Sequence, residues 1–100
     1  MSRGIQRARL DDNQPEIVRA LQAVGASVQS LASIGMGCPD LAVARDGSQA
    51  VLMEIKDGSK PRSECKLTPA EARWHKLWRG KVYVVHNSDE AIAALLDGLK

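Results

Sequence analysis

The sequence predicts an α/β domain of order αβββαβα, with a mixed four-stranded sheet and flanking helices. Three observations predict it. Ile17, Val18, Leu21 and Val24 recur at helical spacing behind Pro15. Two short apolar runs then flank Asp46-Gly47, the signal of a β-hairpin. Finally, Thr68-Pro69-Ala70-Glu71 is a capping box that opens a second helix, and an apolar run from Val82 to His86 follows it. A strand–helix–strand link of that length implies parallel pairing and a right-handed crossover.

Size and composition set the limits. A chain of 100 residues supports one domain with a modest core. The hydrophobic fraction of 44% is ample, but aromatics are 3% and Phe is absent. The core is therefore expected from Leu, Val, Ile and Ala with the pair Trp74 and Trp78. A formal net charge of +2 is too small by itself to announce a nucleic-acid binder, so the placement of the charges matters more. Cys38 and Cys65 spell neither a disulfide framework nor a metal motif. No apolar stretch approaches a membrane span, and the N-terminus has no signal-peptide pattern, so a membrane partner is not expected. The expected setting is a reducing cytoplasm.

Residues 1–11 read as a flexible basic arm containing Arg3, Arg7 and Arg9, either a solvated tail or a phosphate contact. The domain proper is expected over 12–100. Asp12 or Asn13 is expected to cap the first helix, which Gly25 ends. Glu16 lies in its first turn, where a carboxylate favours the helix dipole by at most about 1 kcal/mol. Ala26 to Ile34 reads as a first strand, with Val28 and Leu31 inward. Gly35-Met36-Gly37 then supplies a permissive backbone, suited to close approach by a phosphate or another loop, or to a plain turn.

The hairpin spans Asp40 to Arg45 and Gln49 to Lys56. Side chains alternate across a strand, so Leu41 and Val43 share one face, Ala42 and Ala44 the face of Asp40. On the second strand Leu52, Glu54 and Lys56 share a face, opposite Val51, Met53 and Ile55. A register that sets Asp40 beside Glu54 would gather two carboxylates and an ammonium. Like charges held together are costly unless a cation joins them, and paired carboxylate oxygens suit Mg²⁺.

The loop from Asp57 to Leu67 has turn formers and no periodicity; its Lys60, Arg62 and Lys66 either face solvent or track phosphate. In the second helix Ala70, Trp74, Leu77 and Trp78 fall on one face, and Gly80 is expected to stop it. Both tryptophans read as core, not as base-stacking platforms. Arg73, Lys76, Arg79 and Lys81 complete a basic half from Lys56 to Lys81. His75 and His86 are lone histidines and read as packing or polar-surface residues. Ser88 opens a last helix whose Leu96 and Leu99 would form a dimer patch if the monomer cannot bury them.

Pro39-Asp40 followed by Glu54-Ile55-Lys56 resembles the PD-(D/E)XK nuclease signature. With Gly37-Cys38-Pro39-Asp40-Leu41 before and Leu67-Thr68-Pro69-Ala70-Glu71-Ala72-Arg73-Trp74-His75 after, it resembles the VRR-NUC branch, virus-type replication and repair nucleases related to Holliday junction resolvases. The similarity runs from about Asp12 to Leu96. It implies a restriction-endonuclease-like core and Mg²⁺- or Mn²⁺-dependent hydrolysis of DNA, structure-selective on branched substrates. Asp40, Glu54, Lys56 and Glu16 would be catalytic; Asp40, Glu54, Glu16 and the Ile55 carbonyl would hold the metal. Lys60, Arg62, Lys66, Arg73 and Lys76 would contact DNA, with a homodimer fitting four-way junctions. Products of the family usually carry a 5′-phosphate and a 3′-hydroxyl. The family often has glutamine where Glu71 stands, which puts any substrate role of Glu71 in doubt. Two rivals stay open. Glu54 and Lys56 could form an ordinary surface ion pair worth 0 to about 1 kcal/mol, or the scaffold could serve as a non-catalytic nucleic-acid-binding or assembly module.

Overall fold

The computed structural model describes residues 12–98; the basic arm and Leu99 lie outside the described residues. Helices α1 (Gln14–Ala23), α2 (Pro69–Leu77) and α3 (Ser88–Gly98) alternate with strands β1 (Ser27–Ser30), β2 (Leu41–Ala44), β3 (Val51–Ile55) and β4 (Val82–Val85) in the expected order. Strand order in the sheet is β1-β2-β3-β4, with β1–β2 and β2–β3 paired antiparallel and β3–β4 parallel. The mixed sheet is thus as the sequence reads. Among the described residues, no helix is long and apolar enough to cross a membrane.

The β2–β3 turn shows why Asp46-Gly47 signals a hairpin. Both residues have positive φ (48° and 75°), and Ser48 N donates to Arg45 O at 2.9 Å. Asp tolerates the left-handed region better than most residues, and Gly adopts it without strain. Strand pairing is Leu41↔Met53, Ala42↔Leu52 and Val43↔Val51, so the β3 side carries one residue more than a two-residue turn alone would leave. This register puts Leu41, Val43, Val51, Met53 and Ile55 on one face, all buried, where they pack with Ile17 and Leu21 of α1 and Ala91, Ala94 and Leu95 of α3. Full burial of a Leu or Ile side chain contributes on the order of 2 kcal/mol. This layer therefore holds the sheet rigid and leaves the opposite face for other work.

Four expectations are corrected. First, the tryptophans are not core. Trp74 is half-buried and Trp78 is exposed, and the two rings stack on each other at 4.7 Å. The helix stops at Leu77, and Trp78 turns extended (ψ 129°), with its ring stacked on Trp74 outside the buried core. Second, α2 buries no residue, and Ala70 and Leu77 are exposed; polar contacts, described below, hold it in place. Third, Asn13 is the N-cap residue of α1, but its side chain makes no cap hydrogen bond. Its amide donates to the carbonyls of Lys56 (3.4 Å) and His86 (3.0 Å), tying α1 to the ends of β3 and β4. Fourth, Arg62–Cys65 forms a short 3-10 helix inside the loop, started after Pro61, and β1 is shorter than the run from Ala26 to Ile34.

Candidate active site

Asp40 stands just outside β2, where Pro39 cannot continue the ladder as a donor. Its carbonyl accepts from Leu31 N (2.8 Å), and its Oδ2 accepts from Ile55 N (2.7 Å). The carboxylate thus takes the place of a backbone acceptor at the end of the hairpin. Because Leu41 pairs with Met53, one further step sets Asp40 opposite Glu54. Both lie on the face away from α1 and α3. Glu54 is only 3% exposed and Lys56 9%, depths at which unpaired charges are costly.

α2 supplies the rest. Lys56 Nζ donates to Glu71 Oε1 at 2.8 Å and stands 3.9 Å from Glu54 Oε2. The same Glu71 Oε1 accepts from Thr68 N at 2.8 Å, while Glu71 N donates to Thr68 Oγ1 at 3.2 Å. The capping box of α2 and the anchorage of Lys56 are therefore one structure. One turn on, His75 Nε2 lies 4.0 Å from Glu54 Oε1. Both atoms are buried and lack a hydrogen-bond partner. The His75 ring is braced edge-on by Trp74 at 6.1 Å.

The electrostatics follow from this crowding. Burial first, then the negative charges of Asp40 and Glu71, push Glu54 up to about 9. Burial also raises Asp40, although the Ile55 N–H opposes it. Cys38 is raised by burial and by the two carboxylates beside it. Partial burial works against ionisation of Glu71, but the hydrogen bonds from Lys56 and Thr68 outweigh it and bring the carboxyl below its ordinary value. His75 is lowered, chiefly by burial. Glu54 is then a buried acid that stays protonated well above neutral pH unless positive charge joins it.

Among the described residues, no group of three or more His, Cys, Asp or Glu side chains is placed to hold a metal ion. Two opposed carboxylates, one with a buried oxygen lacking a partner, nonetheless fit Mg²⁺ or Mn²⁺. Mg²⁺ usually keeps several waters and takes one or two carboxylates plus substrate phosphate. Glu54 Oε1 is the atom whose lone pairs such an ion would satisfy.

The other sequence-derived candidates fall elsewhere. Glu16 is exposed and lines a cleft with Asp12, Asn13, Asp57, His86 and Ser88. Ile55 turns its side chain into the core and its N–H to Asp40. Arg62, Lys66, Arg73 and Lys76 are exposed, and Lys60 is half-buried. His86 pairs through Nδ1 with Glu90 Oε1 at 2.8 Å, a polar-surface role. The structure thus brings together Asp40, Glu54 and Lys56, and adds Glu71 and His75, which the sequence presents as a cap and as a packing or polar-surface residue. The signal for both was present: spaced i, i+4, they share one helix face.

No family model matches the sequence, and no curated protein matches it either. Among solved structures the chain is similar to a VRR_NUC domain, with 22% identity, coverage of 90% of this chain and 100% of that one, and a TM-score of 0.64. At that identity the likeness is one of fold, and at that level it bears out the resemblance carried by Pro39-Asp40 and Glu54-Ile55-Lys56.

Proposed function

We propose that this chain is a divalent-metal-dependent endonuclease that hydrolyses phosphodiester bonds in DNA, with preference for branched substrates. One observation carries the proposal: Asp40 and Glu54 face each other on neighbouring strands, with Glu54 Oε1 buried and unpartnered and Lys56 Nζ 3.9 Å from Glu54 Oε2. An ordinary surface ion pair would not be buried in this way, nor would it hold a second carboxylate in place from a neighbouring strand.

In this reading Asp40 and Glu54 would hold Mg²⁺ or Mn²⁺, joined by the Ile55 carbonyl, whereas Glu16 lines the separate cleft beside Asp57 and His86. When bound, the ion supplies Lewis-acid polarisation of the phosphate and acidifies a water. Asp40 is oriented by the Ile55 N–H. Lys56, held by Glu71, points its ammonium at the edge of the carboxylate pair, where it steadies negative charge building on the phosphate. Lys60, Arg62, Lys66, Arg73 and Lys76 are the proposed phosphate contacts along the approaching strands. A homodimer with exposed Leu96 in its interface would present two sites and match the symmetry of a four-way junction.

The test is a cleavage panel of four-way junction, flap, duplex and single-stranded DNA with Mg²⁺ or Mn²⁺, with Glu54→Ala as control and oligomeric state measured alongside. Metal-dependent cleavage of branched DNA, lost in Glu54→Ala, is expected. Binding without cleavage by either protein would make this a nucleic-acid-binding module instead.

A further inference from the structure

The loop that leads into Asp40 breaks two ordinary rules at once. Gly35, Met36 and Gly37 have φ of 71°, 57° and 84°. A left-handed methionine has neither the freedom of glycine nor the local hydrogen bonding that lets Asn or Asp sit there. Its side chain is also 89% exposed, and that of Ile34, two residues before, is 58% exposed.

The loop is nevertheless held. Ile34 N donates to Leu31 O at 3.0 Å, and Cys38 N to Gly35 O at 3.1 Å. Gly37 packs so closely on the first turn of α2 that a Cβ there would overlap the Ala70 carbonyl. That turn contains Glu71, which holds Lys56. Met36 is therefore displayed from a loop pinned on one side to the lysine anchor and continuous on the other with Asp40. Backbone strain of this kind clusters at active sites and ligand clamps, where a bound partner covers the side chain it displays. On the nuclease reading, what comes to this rim is the substrate strand.

We propose that Met36, supported by Ile34, is a wedge that enters the base stack of the nucleic acid whose phosphate lies against Asp40 and Glu54. This inference rests on the nuclease reading and names the feature of the substrate it selects. Apolar side chains of this kind partly unstack base steps, at a cost that is lowest where the stack is already interrupted. The wedge thus favours junctions, flaps and ends over continuous duplex. Basic side chains set the approach of the backbone, and Met36 tests whether the stack can open.

The experiment compares wild type with Met36→Asn, which removes the apolar tip and suits a left-handed backbone, and with Met36→Leu, which keeps an apolar tip. Binding is measured by anisotropy on a four-way junction and on a duplex of the same sequence, in a Glu54→Gln background to prevent cleavage. 2-Aminopurine beside the branch reports unstacking. Met36→Asn is expected to melt no lower than wild type, to bind the junction about tenfold more weakly, to change duplex binding less than about twofold, and to lose the rise in fluorescence. Met36→Leu should restore most of each. An unchanged junction-to-duplex ratio with Met36→Asn overturns the wedge even if metal-dependent cleavage is confirmed. A change in oligomeric state alone would also overturn it, by assigning the loop to a second copy of the chain. Unstacking by the wild type without any cleavage would keep the wedge and overturn the nuclease reading.

Discussion

On one face of β3, Val51, Met53 and Ile55 are 0–1% exposed against α1 and α3; on the other, Glu54 is 3% and Lys56 9% exposed beside α2. The depth is nearly equal and the chemistry is opposite. The aliphatic face gains free energy from burial. The polar face loses it, because Glu54 and its neighbours give up water for partners that satisfy them only in part. α2, which buries no residue, closes the polar face through Lys56–Glu71 and leaves Glu54 Oε1 and His75 Nε2 unpaired. The difference teaches that stability is collected under α1 and α3 and made available to a site that is unfavourable until it is occupied. Protein folds commonly tolerate such local cost at functional positions.

The sharpest way to break this contrast is Glu54→Gln. Cleavage should fall by about 10³ or more, while the metal-free protein melts at or above the wild-type temperature; strong destabilisation would show that the polar face is structural. Met53→Ala, one residue away on the opposite face, should reverse the pattern and cost about 2–5 kcal/mol in denaturant unfolding, with residual cleavage per folded molecule largely kept. Lys56→Ala should reduce cleavage by about 10² and leave DNA binding largely intact. Equal loss of both would reduce Lys56 to a phosphate contact.

Dependence on pH separates the faces without mutation. Glu54 sits at about 9 in the folded chain against an ordinary 4.5. Between those values the folded state holds a proton that the unfolded state has released. Metal-free stability should therefore fall as pH rises from about 5 to about 9. In Glu54→Gln that slope should flatten. Millimolar Mg²⁺ or Mn²⁺ should raise the melting temperature by binding the native state, more strongly at pH 8 than at pH 6; a melting curve indifferent to both ions would count against the site. The smallest effect expected is that of Thr68→Ala, about 1 kcal/mol from the lost cap. It should also loosen the Glu71 carboxylate that holds Lys56, seen as a modest drop in cleavage rate with little change in DNA affinity.

Much of this was legible in the residue order, because local rules govern it. The two-residue period of a strand puts Glu54 and Lys56 on one face and Ile55 on the other whatever surrounds them. Asp46-Gly47 signals the hairpin, although the register that brings Asp40 to Glu54 is one residue off the one this two-residue turn alone would set. The capping box starts α2 at Pro69, as expected. What α2 does after it starts depends on how it docks. Its apolar stripe suggested a buried face, yet Trp74 and Trp78 stack outside the core, and Glu71 and His75 are the residues that turn toward the sheet. Likewise Asn13 has the right identity for a cap but spends its amide on carbonyls 43 and 73 residues away. Sequence by itself determined the main elements, their order and the shared face of Glu54 and Lys56, since those depend on neighbours within a few positions. Tertiary structure alone decided which residues complete the carboxylate pair and how deeply Glu54 is buried, because contact between distant segments depends on the packing of whole elements against one another.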